Sequence, residues 1–278
     1  MRGGYYFLQK LKKSIFGSFS KINWRVWIVA AGMLLVGFLF SRDALARFVW
    51  QKYRLPAVAS FLMRHDAQLS VELGNYYFNS YRDGVYDLER AEKYFERALA
   101  IDPNVENAWY QLARIDFLRG EFTSARGKIN KQLELHGDSI MASYYARGLI
   151  NGYSGHFKEA EKDFLKFLSW KKESWAAHND LAWVYFSQGE YKKAEEVARE
   201  GLAFNGNNVW LLNSLGVSLL NLGKKAEARE IFLRAREAAA LLTDVDWGRA
   251  YPGNDPRSAA PGLAGMKKAI DANLKLLN

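Results

Sequence analysis

The chain is 278 residues long and 49% apolar, long enough for one large domain or two and apolar enough for a real core. It has no cysteine, which excludes disulfides, thiolate metal sites and cysteine nucleophiles. The net charge of +9 does not describe a nucleic-acid surface: residues 1–54 hold ten Lys or Arg and one acid, Asp43, and the 29 basic and 29 acidic residues that follow cancel.

Residues 1–23 read as a basic cytoplasmic segment. Tyr5, Tyr6, Phe7, Leu8, Leu11, Ile15, Phe16 and Phe19 alternate loosely with lysines. Two readings stay open for this stretch, an interfacial helix on the inner membrane face and a disordered tail.

The next segment, 24–42, is expected to be a transmembrane helix. Val26 to Phe40 carries no charge, Arg25 and Arg42 flank it, and Trp24 and Trp27 suit the headgroup interface. Six basic residues and no acid precede the run, so the charge bias puts the N-terminus in the cytoplasm and the rest of the chain across the membrane. In a bacterium that places the protein in the inner membrane, single-pass, with its main domain in the periplasm. A cleaved secretory signal ending near Ala44-Leu45-Ala46 is the competing reading, and a signal-anchor the favoured one. Residues 43–69 are expected to connect anchor and domain, with Pro56 as a break or a helix start and Ala57 to Met63 packing on the first repeat.

The main domain is organised by a repeat. Ala91, Ala125, Ala160, Ala194 and Ala228 are spaced 34, 35, 34 and 34 apart, and Gly120, Gly155, Gly189 and Gly223 each precede an alanine by five positions. Such a period is the mark of helix–turn–helix units, with Gly where the chain must reverse and Ala where two helices cross closely. An aromatic follows the turn glycine by two positions at Phe122, Phe157 and Tyr191, while Lys225 stands there in the last unit. Gly74 and Ala91 are too far apart, so an insertion is expected near Arg82-Asp83-Gly84.

Trp109-x2-Leu112-Ala113, Leu181-Ala182-x2-Tyr185 and Leu215-Gly216 match the first half of a known unit. Ala91-x3-Phe95, Ala160-x3-Phe164 and Ala228-x3-Phe232 match its second half, and Pro103 its closing proline. Over roughly residues 70–240 the sequence therefore resembles the tetratricopeptide repeat family, in the layout of a membrane-anchored bacterial member. The resemblance implies an all-α chain: a transmembrane helix, then a right-handed α-solenoid of about five helix–turn–helix repeats over 70–242.

In residues 243–278, six Gly or Pro fall within 248–262. Leu263, Met266, Ile270, Leu274 and Leu277 then recur at helical spacing. A capping helix over the last repeat is the favoured reading; the other is a loop that occupies the solenoid's own groove.

Chemistry has little foothold. His65, His136, His156 and His178 show no metal-ligand spacing, no phosphate-binding glycine loop is present, and Asp244-x-Asp246 lacks the register of a calcium loop. No enzyme activity, cofactor, metal, nucleic acid or small-molecule substrate is expected. The family resemblance implies that the first helix of each repeat lines a concave groove, here through Tyr110, Arg114, Phe117, Tyr145, Tyr153, Asn179, Trp183, Phe186, Trp210 and Asn213. Exposed rings bury much area with little entropy loss, which suits a protein or peptide partner, in particular a membrane or envelope protein. With only Arg114 as a cation, the groove lacks a carboxylate clamp. The expected role is a scaffold or assembly factor; the alternative is a permanent accessory subunit of a membrane complex, held by its transmembrane helix and convex surface.

Overall fold

The computed structural model describes residues 24–78, 85–251 and 253–277; of the side chains from 24 to 40 it describes only those of Ile28 and Gly32. The chain divides into two compact units, residues 1–66 and 67–278.

In the first unit α1 (Trp24–Tyr53) runs unbroken past the expected boundary at 42, and α2 (Pro56–Leu62) begins with Pro56, whose missing N–H costs nothing there. Arg54 takes φ +52° at the bend, its guanidinium over the Trp50 ring. The chain then folds back along the end of α1. Arg42 donates to the Phe61 carbonyl at 3.1 Å, Asp43 accepts from the Arg64 N–H at 2.5 Å, and Arg47 pairs with Asp66 at 2.5 Å. Among the described residues no helix is long and apolar enough to cross a membrane. The run expected to do so has nearly all its side chains outside them, as do residues 1–23.

The second unit is a solenoid of five helix pairs: α3 (Ala67–Tyr77) with α4 (Leu88–Ile101), α5 (Ala108–Leu118) with α6 (Phe122–His136), α7 (Ala142–Tyr153) with α8 (Phe157–Trp170), α9 (Trp175–Ser187) with α10 (Tyr191–Phe204), and α11 (Val209–Asn221) with α12 (Lys225–Leu241). The five registered alanines are all fully buried, 0% exposed, where the two helices of a pair cross. Gly120, Gly155, Gly189 and Gly223 take φ between +76° and +79°, the left-handed geometry that a side chain would strain. The N–H after each glycine closes a bond back to the helix before it: Glu121 to Asp116, His156 to Asn151, Glu190 to Tyr185 and Lys224 to Leu219, at 2.8–3.0 Å. One turn chemistry thus sets the angle between paired helices four times over.

A second contact repeats with it. Gly74, Gly148 and Gly216 on the first helix each face a phenylalanine on the second, Phe95, Phe164 and Phe232, which are fully buried. The first such pair is 21 residues apart and the others 16, so the first repeat carries a longer turn, as expected. The Arg82-Asp83-Gly84 part of that turn lies outside the described residues.

After the last repeat come α13 (Asp244–Ala250), a 3-10 turn at Pro256–Ser258, and α14 (Ala259–Lys275). Ile270 and Leu274 are buried against Ala235 and Ala239 of α12, and Met266 and Leu277 flank them. The capping helix is therefore present, and it covers the apolar face that a terminal repeat would otherwise expose.

A candidate partner-binding groove

The first helices of the last four repeats face a common cavity of about 270 Å³. Tyr110, Arg114 and Phe117 come to it from α5, Tyr145, Leu149 and Tyr153 from α7, Trp175, Asn179 and Asp180 from α9, and Trp210 from α11. Their residue numbers follow the repeat, and the bonds along the floor do too. The Tyr145 hydroxyl donates to Asp180 Oδ2 at 2.6 Å, and the Ser214 hydroxyl to Asn179 Oδ1 at 2.9 Å, each across 35 positions.

The remaining wall comes from the C-terminal segment. Ala250, Tyr251 and Asn254 line the same cavity. Trp175, Trp210, Trp247 and Tyr251 form a ladder of rings with successive centres 4.9, 5.5 and 5.1 Å apart, and the stacking leaves Trp210 only 7% exposed. At the far end Gly253 lies against Arg114 and Phe78, and its carbonyl accepts from the Tyr86 hydroxyl at 2.6 Å. α14 caps the last repeat, while the loop before it lines one wall of the groove and reaches the first repeat, leaving the cavity open rather than occupied. Pro252 lies outside the described residues.

Of the ten residues expected in the groove, seven meet around this cavity: Tyr110, Arg114, Phe117, Tyr145, Tyr153, Asn179 and Trp210. Three do not. Trp183 packs between repeats, its ring over Gly152 and 5.0 Å from that of Tyr153. Phe186 closes its own turn against Tyr191 at 5.2 Å. Asn213 is half-buried and not among the residues that line the cavity, and its Oδ1 has no hydrogen-bond partner among the described residues. Sequence reasoning missed Asp180, Trp175 and the loop residues. An acid directly before the apolar run Leu181 to Tyr185, within a first helix, was the available signal for the first of these.

Burial, opposed by hydrogen bonds from Tyr145 and Asn179, pushes the Asp180 carboxyl up to about 6. Burial, with the nearby Asp255 charge adding to it, pushes the Tyr86 phenol up to about 12, and burial does the same to Tyr251. Arg114 stacks over Phe78 at 4.7 Å and Tyr110 at 5.6 Å and donates to Gln111 at 2.8 Å. Asp246 has a structural duty as the capping-box acid for Thr243 at the start of α13. Among the described residues no group of three or more His, Asp or Glu could hold a metal ion.

Paired helices at a period of 34, stacked so that their first members enclose a groove, define a helical repeat scaffold. Family models described as tetratricopeptide repeat match residues 85–146, 145–208 and 209–240, more than half of the chain. The chain belongs to the tetratricopeptide repeat family. Similar solved structures include PilW, described as a widely conserved type IV pilus biogenesis factor (TM-score 0.57, 20% identity, 77% of this chain and 94% of that one). YrrB, described as a TPR protein with an unusual peptide-binding site, is another (0.53, 15%, 71% and 93%). A third is MamA from Desulfovibrio magneticus RS-1 (0.55, 18%, 63% and 95%). At these identities the likeness is one of fold. No curated protein sequence matches the chain.

Proposed function

We propose that this protein is a membrane-anchored scaffold or assembly factor that captures a segment of a partner polypeptide in the inner groove of its repeats. The observation that carries this is the cavity itself, where rings from four successive repeats converge with few polar groups, as binding sites for polypeptide side chains do. A peptide-binding site described for YrrB and a biogenesis role described for PilW make a peptide ligand and an assembly role reasonable by analogy. The uncharged run 26–40 with its basic upstream flank supports an anchor at the cytoplasmic membrane with the repeats on the exported side. Confinement to one membrane raises the effective concentration of a partner held there too, so the groove itself needs little affinity.

A second reading, a permanent accessory subunit held by other surfaces, draws on the ends of the second helices. Trp170 and Phe204 stand at the same repeat position, 60% and 57% exposed. Affinity capture of the full chain in mild detergent separates the two. Loss of the partner in a Tyr110→Ala, Tyr153→Ala variant, with retention in a Trp170→Ala, Phe204→Ala variant, supports the groove. The reverse result overturns it in favour of the outer surface. For the anchor, deletion of residues 1–42 is expected to release the chain from membranes; unchanged fractionation would sink that part.

A further inference from the structure

The carboxylates that sink between the paired helices meet cations. Asp116 pairs with Lys128 at 2.7 Å, Asp163 with Arg147 at 2.7 Å, and Glu195 with Arg199 at 3.0 Å and Lys224 at 2.7 Å. Asp180 is different. Two neutral groups hold it, the Tyr145 hydroxyl at 2.6 Å and the Asn179 amide at 3.2 Å, and no cation among the described residues pairs with it. A half-buried carboxylate bonded only by neutral donors, without a counter-charge, is held at a cost, which its raised titration reflects.

Asp180 is also the one acid on the described wall of the cavity, surrounded there by Tyr110, Tyr153, Trp175, Trp210 and Tyr251. Ring faces carry negative charge density and attract cations, most strongly where water is excluded. The other charge on the wall, Arg114, is engaged with Phe78, Tyr110 and Gln111. An anionic guest would meet Asp180 with like charge, and a neutral one would seal it away still unpaired. A cationic guest supplies the counter-charge that Asp180 lacks and suits the ring faces around it.

We propose that this chamber seats a lysine or arginine side chain of the bound polypeptide, with Asp180 as its counter-ion and the surrounding rings as its walls. The inference rests on the groove reading and adds the chemistry of the guest.

The test is to pan a randomised peptide library on the full chain in mild detergent, then measure a selected peptide by fluorescence anisotropy. Selected sequences are expected to share a Lys or Arg, and replacing it with Met should weaken binding about tenfold or more. In an Asp180→Asn variant, which keeps the size and an acceptor for Tyr145, that difference should vanish. Tyr153→Leu, at an exposed wall position, should weaken the basic peptide several-fold without touching the acid. Selected peptides with no basic residue, or a Lys-to-Met penalty that persists in Asp180→Asn, would overturn the proposal while leaving the groove reading in place. A library that yields no binder at all overturns both.

Discussion

Tyr86 and Gly253 stand 167 positions apart, and the hydroxyl of one donates to the carbonyl of the other at 2.6 Å. Each lies in a departure from the repeat pattern: Tyr86 in the lengthened turn of the first repeat, Gly253 in the Pro/Gly-rich loop beyond the last. The two irregularities meet. Gly253 sits at φ +95°, and a methyl there would come within 2.6 Å of the Arg114 guanidinium and 3.2 Å of the Phe78 ring. Gly253→Ala is therefore expected to cost about 1–3 kcal/mol through strain and displacement of the loop. Tyr86→Phe should cost only about 1 kcal/mol, the worth of one hydrogen bond. Amide exchange across residues 250–257, read by mass spectrometry, should quicken in both variants; unchanged exchange in Gly253→Ala would show that the loop is not held there.

Two glycines inside helices should respond oppositely to the same substitution. A Cβ on Gly216 would lie 2.7 Å from the buried Phe232 ring, whereas one on Gly127 would meet nothing within 4 Å. Gly216→Ala is expected to lose about 1–3 kcal/mol by overpacking. Gly127→Ala, on the open face of α6, should gain about 0.5–1 kcal/mol because alanine loses less backbone entropy in a helix. Urea denaturation followed by circular dichroism checks both, and equal shifts would refute the packing argument.

Asp180 gives the stability a pH dependence of unusual sign for an acid. Its carboxyl titrates near 6 in the folded protein against an ordinary value of 3.8, so between those values the native state holds a proton that the unfolded chain releases. Stability from this group is therefore highest below about pH 4, falls as the pH rises towards 6, and is level above it, a loss of order 3 kcal/mol. Asp180→Asn should flatten that slope and raise the urea midpoint more at pH 7.5 than at pH 4.5. An identical gain at both values would mean that Asp180 ionises normally.

The repeat frame was legible because its constraints are local and recur. A buried alanine at a helix crossing and a left-handed glycine at a turn admit almost no other residue, so Ala91 to Ala228 and Gly120 to Gly223 declare themselves by type and interval. The aromatics of the first helices were harder to place, since a ring can face the groove or fill the joint between repeats at nearly the same angle. Tyr110 and Tyr145 face the groove. Trp183 is drawn instead into the joint by the space that Gly152 leaves, a pairing between repeats that spacing alone does not encode. Asp180 was hidden by position, one residue beyond the expected groove site at Asn179. The loop at 250–255 was hidden by its nature: irregular backbone has no period, and its contacts with Tyr86 and Arg114 depend on where the whole array has carried the first repeat.

That return contact alters what kind of body the array is. A stack of repeats ordinarily behaves as a line, in which each member answers only to its neighbours and either end can fray by itself. Here the tail touches the head, so the line is drawn into a ring of contacts. Loosening the first repeat also releases the loop, and with it the rings that shield Trp210 near the last. Long-range closure of this sort raises the contact order, so folding is expected to be slower than in an open array.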